Sequence, residues 1–496
     1  MSLQKHIFKV GAWTAASRVL GFARDMLFAA VLGAGRLSDI FLAAFKLPNL
    51  FRDLLGEGAL SAVFVPMFAE HKNRAPRGPL FASNVFSWLM AILLLITVVA
   101  LIAMPLIIWA IAPGFAIDPG KMESTILLAR LMFGYVILIC GAAFLGAILN
   151  AFSEFAIAAM MPALTNIFMI LGLGAAIYFD VGATAIYILA AAVMISGIVQ
   201  FAILWARIRA RRFGLRLIRP RITNGIKTMV KRMGTTIVGS GFYQINILIG
   251  TLVASFQSGA VTWLYYADRM VQLPFAVVGL AAGTVLLTSI SDAISAKKME
   301  TVYAQQNAVM RQSMMFVLPS MVGLFVLATP IMQFIFERGA WTHESTIATA
   351  TAIMILCLAL PAMTTSQVYS KTLYASQDVK TPVRTSMISL GVSAAIFVAM
   401  FPVVGFLSVP IGVVVGGYLK NWLLLRACRH RNLFQSAPST ARAITVFGAL
   451  SAIMGVGLYV AMSAGMITGI FTLIVAIAAG GVFYMPLAYI ANKKIK

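Results

Sequence analysis

TAASRVLGFARDMLFAAVLG, residues 14–33, is the stretch on which the fold assignment turns. It is long enough to cross a bilayer, which takes about 20 mostly apolar residues. Yet Arg18, Arg24 and Asp25 lie near its middle, where each charge costs about 2.5–3.5 kcal/mol on insertion scales. Charges persist at that depth where they face a protein interior or a water-filled cavity. The stretch therefore predicts a spanning helix with a working polar face. Arg18 and Asp25 are seven residues apart and share a face. Arg18 and Arg24 differ by about 240° on an ideal helix, and Gly21 between them permits a bend.

The rest of the chain agrees with a membrane setting. Of 496 residues, 61% are hydrophobic and 11% charged, against about 25% charged in soluble domains. Cys140, Cys357 and Cys428 are far apart in apolar surroundings, so no disulfide framework or metal spacing is visible. There is no P-loop, no H-E-x-x-H and no nucleophile–base pair. These absences point away from an enzyme, a metal site or an organic cofactor. Hydropathy predicts an all-α polytopic membrane protein with about fourteen spans. They fall near 7–33, 38–68, 82–111, 124–150, 157–179, 183–206, 225–253, 259–291, 307–336, 345–373, 383–403, 407–428, 442–464 and 467–490. No cleavable signal peptide is evident.

The net charge of +23 follows the positive-inside pattern rather than a nucleic-acid footprint. With the N-terminus in the cytoplasm, the cytoplasmic flanks carry most of the basic residues. The largest group lies between spans six and seven, from Arg207 to Arg232. The opposite flanks keep only Arg36, Lys121 and Arg338. Both termini are then cytoplasmic, and the basic loops contact anionic lipid. Inside the spans remain Arg18, Arg24, Lys46, Arg52, Arg130, Arg269 and Lys420, with Asp25, Asp39, Asp53, Glu57 and Asp268 in or beside the same segments as most of them.

Helix breakers cluster beside these charges. Span two reads FKLPNLFRDLLGEGALSAVFVP (45–66), with Pro48, Gly56, Gly58 and Pro66. Broken helices at membrane depth are common at transport sites. Leu47-Pro48 recurs as Leu273-Pro274, 226 positions on. The turn AFSEFAIAAMMP (151–162) is echoed by YASQDVKTPV (374–383) at a similar offset. The chain is therefore expected to hold two pseudo-symmetric six-helix lobes, 1–215 and 216–432, followed by a C-terminal helix pair in 433–496.

SRVLGFARDMLFAAVLGAG (17–35), SDIFLAAFKLPNLFRDLLGEGALSAVFVPMFAE (38–70), YYADRMVQLP (265–274) and QDVKTPV (377–383) strongly resemble the MurJ (MviN) family, the lipid II flippases of the MOP transporter superfamily. The resemblance covers the full length. It implies fourteen helices around a V-shaped central cavity. It also implies transport of undecaprenyl-diphosphate-linked disaccharide pentapeptide from the cytoplasmic to the periplasmic leaflet, by alternating access, in a bacterial inner membrane. Lipid II and membrane lipids are the implied partners, with cell-wall synthesis enzymes as candidate protein partners. A diphosphate asks for arginines, whose planar fork matches its oxygens. The resemblance carries Arg18, Arg24 and Arg269 to substrate-binding positions, and Arg52 joins them from span two. Ser17, Asn49 and Asn166 would add neutral hydrogen bonds. Asp25, Asp39 and Glu57 match acidic positions that pair with the arginines or gate the cavity. The family often has a second basic residue after Arg52, where this chain has Asp53. It also implies that spans thirteen and fourteen frame a groove for the lipid tail.

Other readings stay open on sequence grounds. The arginines could form buried structural ion pairs. Lys46 could snorkel to an interface. An organic-cation antiporter of the MATE type would share the twelve-span core, although its cavity would favour acids. The coupling ion, if any, is not readable from the residues.

Overall fold

In the computed structural model, residues 3–53, 60–70 and 77–495 are described, and among them all regular structure is helical. The helices follow one another along the chain. Span one is the unbroken helix α1 (Leu3–Leu32), and span two is α2 (Arg36–Phe51) with α3 (Leu60–Ala69). Then follow α4 (Arg77–Ile111), α5 (Pro119–Phe133) with α6 (Tyr135–Ala151), α7 (Phe155–Tyr178), α8 (Ala185–Ala210) and α9 (Asn224–Ala254). Span eight is α10 (Ala260–Pro274) running through a π-helical stretch (Phe275–Leu280) into α11 (Ala281–Ser295). The remainder are α12 (Met299–Phe336), α13 (His343–Leu356) with α14 (Leu360–Ala375), α15 (Lys380–Val404), α16 (Ser408–His430), α17 (Pro438–Ser463) and α18 (Ile470–Lys494). Among the described residues, nine helical stretches are long and apolar enough to cross a membrane.

Burial separates central helices from lipid-facing ones. The most apolar part of α18 is only 17% buried and that of α4 28%, whereas the α5–α6 stretch reaches 72%. On α4, Leu95, Val99, Ile102 and Leu106 are exposed. In water such a surface would be an association liability; in a bilayer it is the solvent-matched face, since the helix satisfies its own backbone apart from the Leu101 carbonyl opposite Pro105, which accepts from Arg130 at 3.1 Å.

By internal contacts the chain forms two units: Met1–Val261 with Arg338–Trp341, and Thr262–Glu337 with Thr342–Lys496. In the first, α6 packs against α3, α4, α7 and α8, and α1 lies along α7. Phe64, Phe86 and Phe144 are buried at its centre, with the Phe64 and Phe144 rings 4.7 Å apart. In the second, α12 contacts α11, α13, α14, α17 and α18. A Cβ at Gly455 of α17 would lie 2.4 Å from Val322 of α12, so glycine is what lets the C-terminal pair dock closely.

Several local features recur about 224–226 positions apart. Pro48 lies inside α2, with a π-type turn at Arg52 and Asp53; Pro274 ends α10 and leads into the π-helical stretch. Proline removes a backbone donor, and wider turns of this type often mark functional sites. Glu154 and Asp378 are 224 positions apart. Each follows a residue with positive φ, Ser153 and Gln377, and each donates its amide to an equivalent carbonyl, Leu149 or Leu373, at 2.9 Å. Each also ends in an arginine clamp. Glu154 receives Arg207 at 2.7 and 3.0 Å and Arg211 at 2.6 Å. Asp378 pairs with Arg431, again 224 positions beyond Arg207, and accepts the Thr381 amide at 3.1 Å.

Both acids sit outside the apolar spans, and both carboxyls are held below the ordinary range. For Glu154 the Arg207 hydrogen bond is the largest cause, with Arg211 adding and burial opposing. For Asp378 burial is the largest influence and opposes, but the Thr381 and Arg431 contacts outweigh it. A depressed folded value means that the stabilisation is present above the unfolded value and is lost as pH falls through the folded one. Glu154→Gln should therefore flatten part of the loss of thermal stability below about pH 4.5. The effect should be small, because the Arg207 side chain is 46% exposed and water screens the pair. An unchanged pH profile would remove the clamp from the account.

The linkers after α8 and α16 are pinned in the same way. Asn84 of α4 donates to the Arg221 carbonyl and accepts from the Arg221 amide, both at 2.8 Å. Ser83, Ser87 and Trp88 bond to Arg216, Ile218 and Arg221. In the second unit Asn307 of α12 donates to Gln435 at 2.8 Å and accepts from the Ala437 amide at 3.0 Å.

At the end of the first unit away from these arginines, two close approaches depend on glycine. Gly114 donates its amide to Ser255 at 2.9 Å, and a Cβ there would lie 2.4 Å from the Phe256 nitrogen. Gly339, with φ +60, would place a Cβ 2.2 Å from the Ala30 carbonyl oxygen, beside the Ala340 amide that donates to Ala30 at 2.8 Å. Gly339→Ala should lower stability by about 2 kcal/mol or more. Thermal unfolding of the purified protein tests this, and a wild-type midpoint would contradict it.

Candidate functional site

The charged residues of α1 and α2 form separate hydrogen-bonded clusters in the first unit. On α1, Arg24 is 8% exposed and Asp25 4%. Arg24 Nε and Nη2 both donate to Asp25 Oδ1, at 3.0 and 2.5 Å. Its Nη1 donates to Asn166 Oδ1 of α7 at 3.0 Å and lies 3.9 Å from the Met169 sulfur. The Asn166 amide turns back to the Ser17 carbonyl at 3.0 Å. Ser17 thus enters through its backbone carbonyl. Gly21 does not interrupt α1; a Cβ there would sit 3.3 Å from Asn166 Nδ2, so it provides close approach between α1 and α7. Arg18, two turns before Asp25 and expected on its face, is exposed, while Asp25 is buried with Arg24.

On α2, Asp39 is fully buried in the first turn. Its Oδ2 accepts Lys121 Nζ at 2.8 Å and the Gly259 amide at 2.8 Å, just before α10. The carboxylate thereby sits at the start of α10, where the dipole favours an anion. Lys121 also lies 4.2 Å above the Phe115 ring. Further along, Lys46 donates to Thr251 of α9, and Arg52 bonds Asp53 Oδ1 at 3.1 and 3.3 Å. Asp53 Oδ2 accepts from Gln244 of α9 at 3.2 Å. The two α2–α9 contacts are seven residues apart on both helices, as two antiparallel helices in register would place them. The Asn49 side-chain oxygen is enclosed without a hydrogen-bond partner in the protein.

The structure thus brings Arg24, Asp25, Asn166 and the Ser17 carbonyl together, and places Asp39 and Arg52 in clusters of their own. Arg269 belongs to the second unit, exposed, 5.9 Å from the Tyr265 ring centroid. Glu57 lies outside the described residues. Lys121 had been read as a flanking charge and is instead 5% exposed; nothing local to it signals Asp39, 82 positions away. Gln200, Thr165 and Tyr135 were also missed. Gln200 is the one carboxamide in α8, a signal that an apolar span holds a polar contact; its amide donates to Thr165 at 2.9 Å. Among the described residues no group of three His, Cys, Asp or Glu could hold a metal.

The family model described as lipid II flippase MurJ matches residues 28–479. The chain belongs to the lipid II flippase MurJ family. A probable lipid II flippase MurJ from Rhizobium tropici is 36% identical over 459 residues, 92% of this chain and 86% of its own length. A lipid II flippase MurJ from Burkholderia cenocepacia is 29% identical over 468 residues, covering 92% and 90%. A solved MurJ structure, described as an inward closed conformation, has a TM-score of 0.83 at 24% identity and covers 98% of this chain and 99% of that one. An inward-facing multidrug resistance MATE transporter of the MOP superfamily has a TM-score of 0.65 at 15% identity, covering 84% and 94%. These two likenesses are of fold. They bear out the all-α MurJ-type architecture expected from the sequence, and MurJ membership identifies a transporter rather than an enzyme.

Proposed function

We propose that this chain moves lipid II from the cytoplasmic to the periplasmic leaflet of a bacterial inner membrane. The reading rests on MurJ membership and, within the chain, on one observation: a buried guanidinium whose Nε and Nη2 both donate to a single carboxylate oxygen. Asp25 offers Arg24 what a phosphate oxygen would offer. Exchange of that carboxylate for the lipid's diphosphate gives a cation site that is occupied between cycles, so that no bare charge is left in the membrane. Arg18, exposed on the same helix, and Arg52 and Arg269 supply further cationic contacts, with Asn49 and Asn166 as neutral partners. Asp39 and Glu57 act as gating or pairing acids. The repeat halves 1–215 and 216–432 alternate access, with 433–496 appended. Both termini face the cytoplasm, and enzymes of cell-wall synthesis are the partners this reading implies.

An organic-cation antiporter is disfavoured by the same geometry. Its cargo needs a carboxylate, and the two buried among the described residues, Asp25 and Asp39, already carry Arg24 and Lys121. The deciding experiment depletes the native flippase, expresses this protein and measures lipid II exposed on the outer leaflet. Restored exposure is expected; proper insertion with no exposure would refute the reading.

A further inference from the structure

Arg130 of α5 is exposed, yet it is tied down. Its Nε donates at 3.1 Å to the Leu101 carbonyl of α4, which Pro105, one turn on, leaves without its helical partner. That bond fixes the depth of the guanidinium. Leu101 lies ten residues before the end of α4 at Ile111, and Arg130 eleven after the start of α5 at Pro119. At about 1.5 Å per residue both are about 15 Å inside their spans, the middle of a hydrocarbon core about 30 Å thick. Held there, the side chain does not snorkel to an interface.

The surface that carries it is apolar. Val98 and Ile102 of α4 and Leu127 and Leu131 of α5 are all exposed. The vacated carbonyl accounts for one donor but not for a charge, since a serine or threonine hydroxyl satisfies such a carbonyl equally well. Among the described residues Arg130 makes no other hydrogen bond or ion pair, so both Nη groups are left over. Ionisable groups at this depth face a protein interior or a watery cavity, or pair with one another. Lipid phosphates are half a bilayer away. A pinned cation on an apolar, lipid-facing surface therefore marks a contact for something that brings the opposite charge to the same depth. Glu123, exposed and seven residues earlier, shares this face of α5, about 10 Å nearer the helix start.

We propose that the α4–α5 face docks a transmembrane helix of a different protein, one that carries a carboxylate at the depth of Arg130. Glu123 adds a second point of recognition, for a cation or hydrogen-bond donor two turns nearer the start of α5. A second copy of this chain fits badly. Copies cross the bilayer in one orientation, so a two-fold axis would set Arg130 against Arg130 and Glu123 against Glu123. The exposed apolar side chains supply van der Waals packing, and the ion pair sets the register. The inference requires only that the chain spans a membrane, so its failure would leave the transport reading standing.

Two measurements on the full-length protein test this. In the first, a photo-crosslinking amino acid replaces Ile102 in the cells that naturally make the protein, and the product is mapped by mass spectrometry. It should join a membrane-spanning segment of a different protein, and that segment should contain aspartate or glutamate. Arg130→Gln still offers the Leu101 carbonyl a donor, and it should lower the yield about 10-fold, the effect of one lost charge-assisted contact. Products with lipid alone, with a second copy or with an acid-free segment would overturn the proposal, as would a yield unchanged in Arg130→Gln. In the second, the protein in lipid nanodiscs meets a spanning leucine–alanine peptide with one central glutamate, or the same peptide with glutamine. The wild type should bind the glutamate peptide about 10-fold more tightly, and Arg130→Gln should erase the difference. Equal wild-type affinities would overturn the proposal, and that comparison stands whether or not the variant folds.

Discussion

Lys121→Ala should cost the folded protein about 3–5 kcal/mol, because it strands Asp39 as a charge sealed from solvent. Asp39 is 0% and Lys121 5% exposed, 2.8 Å apart, so neither water nor salt screens the pair. The physical signature is non-additivity. Asp39→Asn combined with Lys121→Ala should recover much of the stability lost by Lys121→Ala, since the amide still accepts from the Gly259 amide without carrying a buried charge. Thermal unfolding of the purified protein, with membrane abundance as a second reading, checks both variants. A single variant as stable as the wild type would show that the pair contributes nothing to folding.

Arg24→Ala should have the larger effect on transport. It removes the two Arg24 bonds to Asp25 and the one to Asn166, and with them the cation proposed to receive the diphosphate. Two charge-assisted hydrogen bonds at about 1.5–3 kcal/mol each correspond to a loss of transport of about 100-fold or more. The variant should also be destabilised, because Asp25 is left buried and uncompensated. Arg24→Ala combined with Asp25→Ala separates the two effects. It should restore protein levels without restoring lipid II exposure. Transport by the double variant would reduce Arg24 to a structural partner of Asp25. Arg24→Lys keeps the charge but not the fork and should fall between.

Local chemistry explains why some of this was legible beforehand. Arg24 and Asp25 stood out because charges in an apolar run have few bland explanations; the helical period separated Arg18 from Arg24, but it also put Arg18 with Asp25, which the structure buries while Arg18 is exposed. The two prolines announced the broken helices of spans two and eight. The turns around Glu154 and Asp378 were recognised as echoes, and the structure sharpens the offset to 224 positions. Partners contributed by distant segments were not legible. Lys121 reads as a flanking cation, and only the fold brings it under Asp39. Arg207 and Arg211 read as topology signals, yet they close on Glu154. Gly21 looked like a hinge because glycine is permissive; its use here is that Asn166 has no Cβ to meet. Asn84 and Asn307 gave no signal, because an amide that ties down a loop looks like any polar residue at a helix end.

The Asn84 contacts also decide how the chain would respond to being cut. The arginines of residues 211–221 make that strap an obvious substrate for a trypsin-like protease, which must draw several residues of free backbone into its cleft. Here Arg216, Ile218 and Arg221 have their amides committed to α4, so the strap must peel away before cleavage. Once nicked, its ends would still be docked on the same helix. The severed protein would hold together as two noncovalently joined fragments, and the strap would serve as a splice rather than a tether.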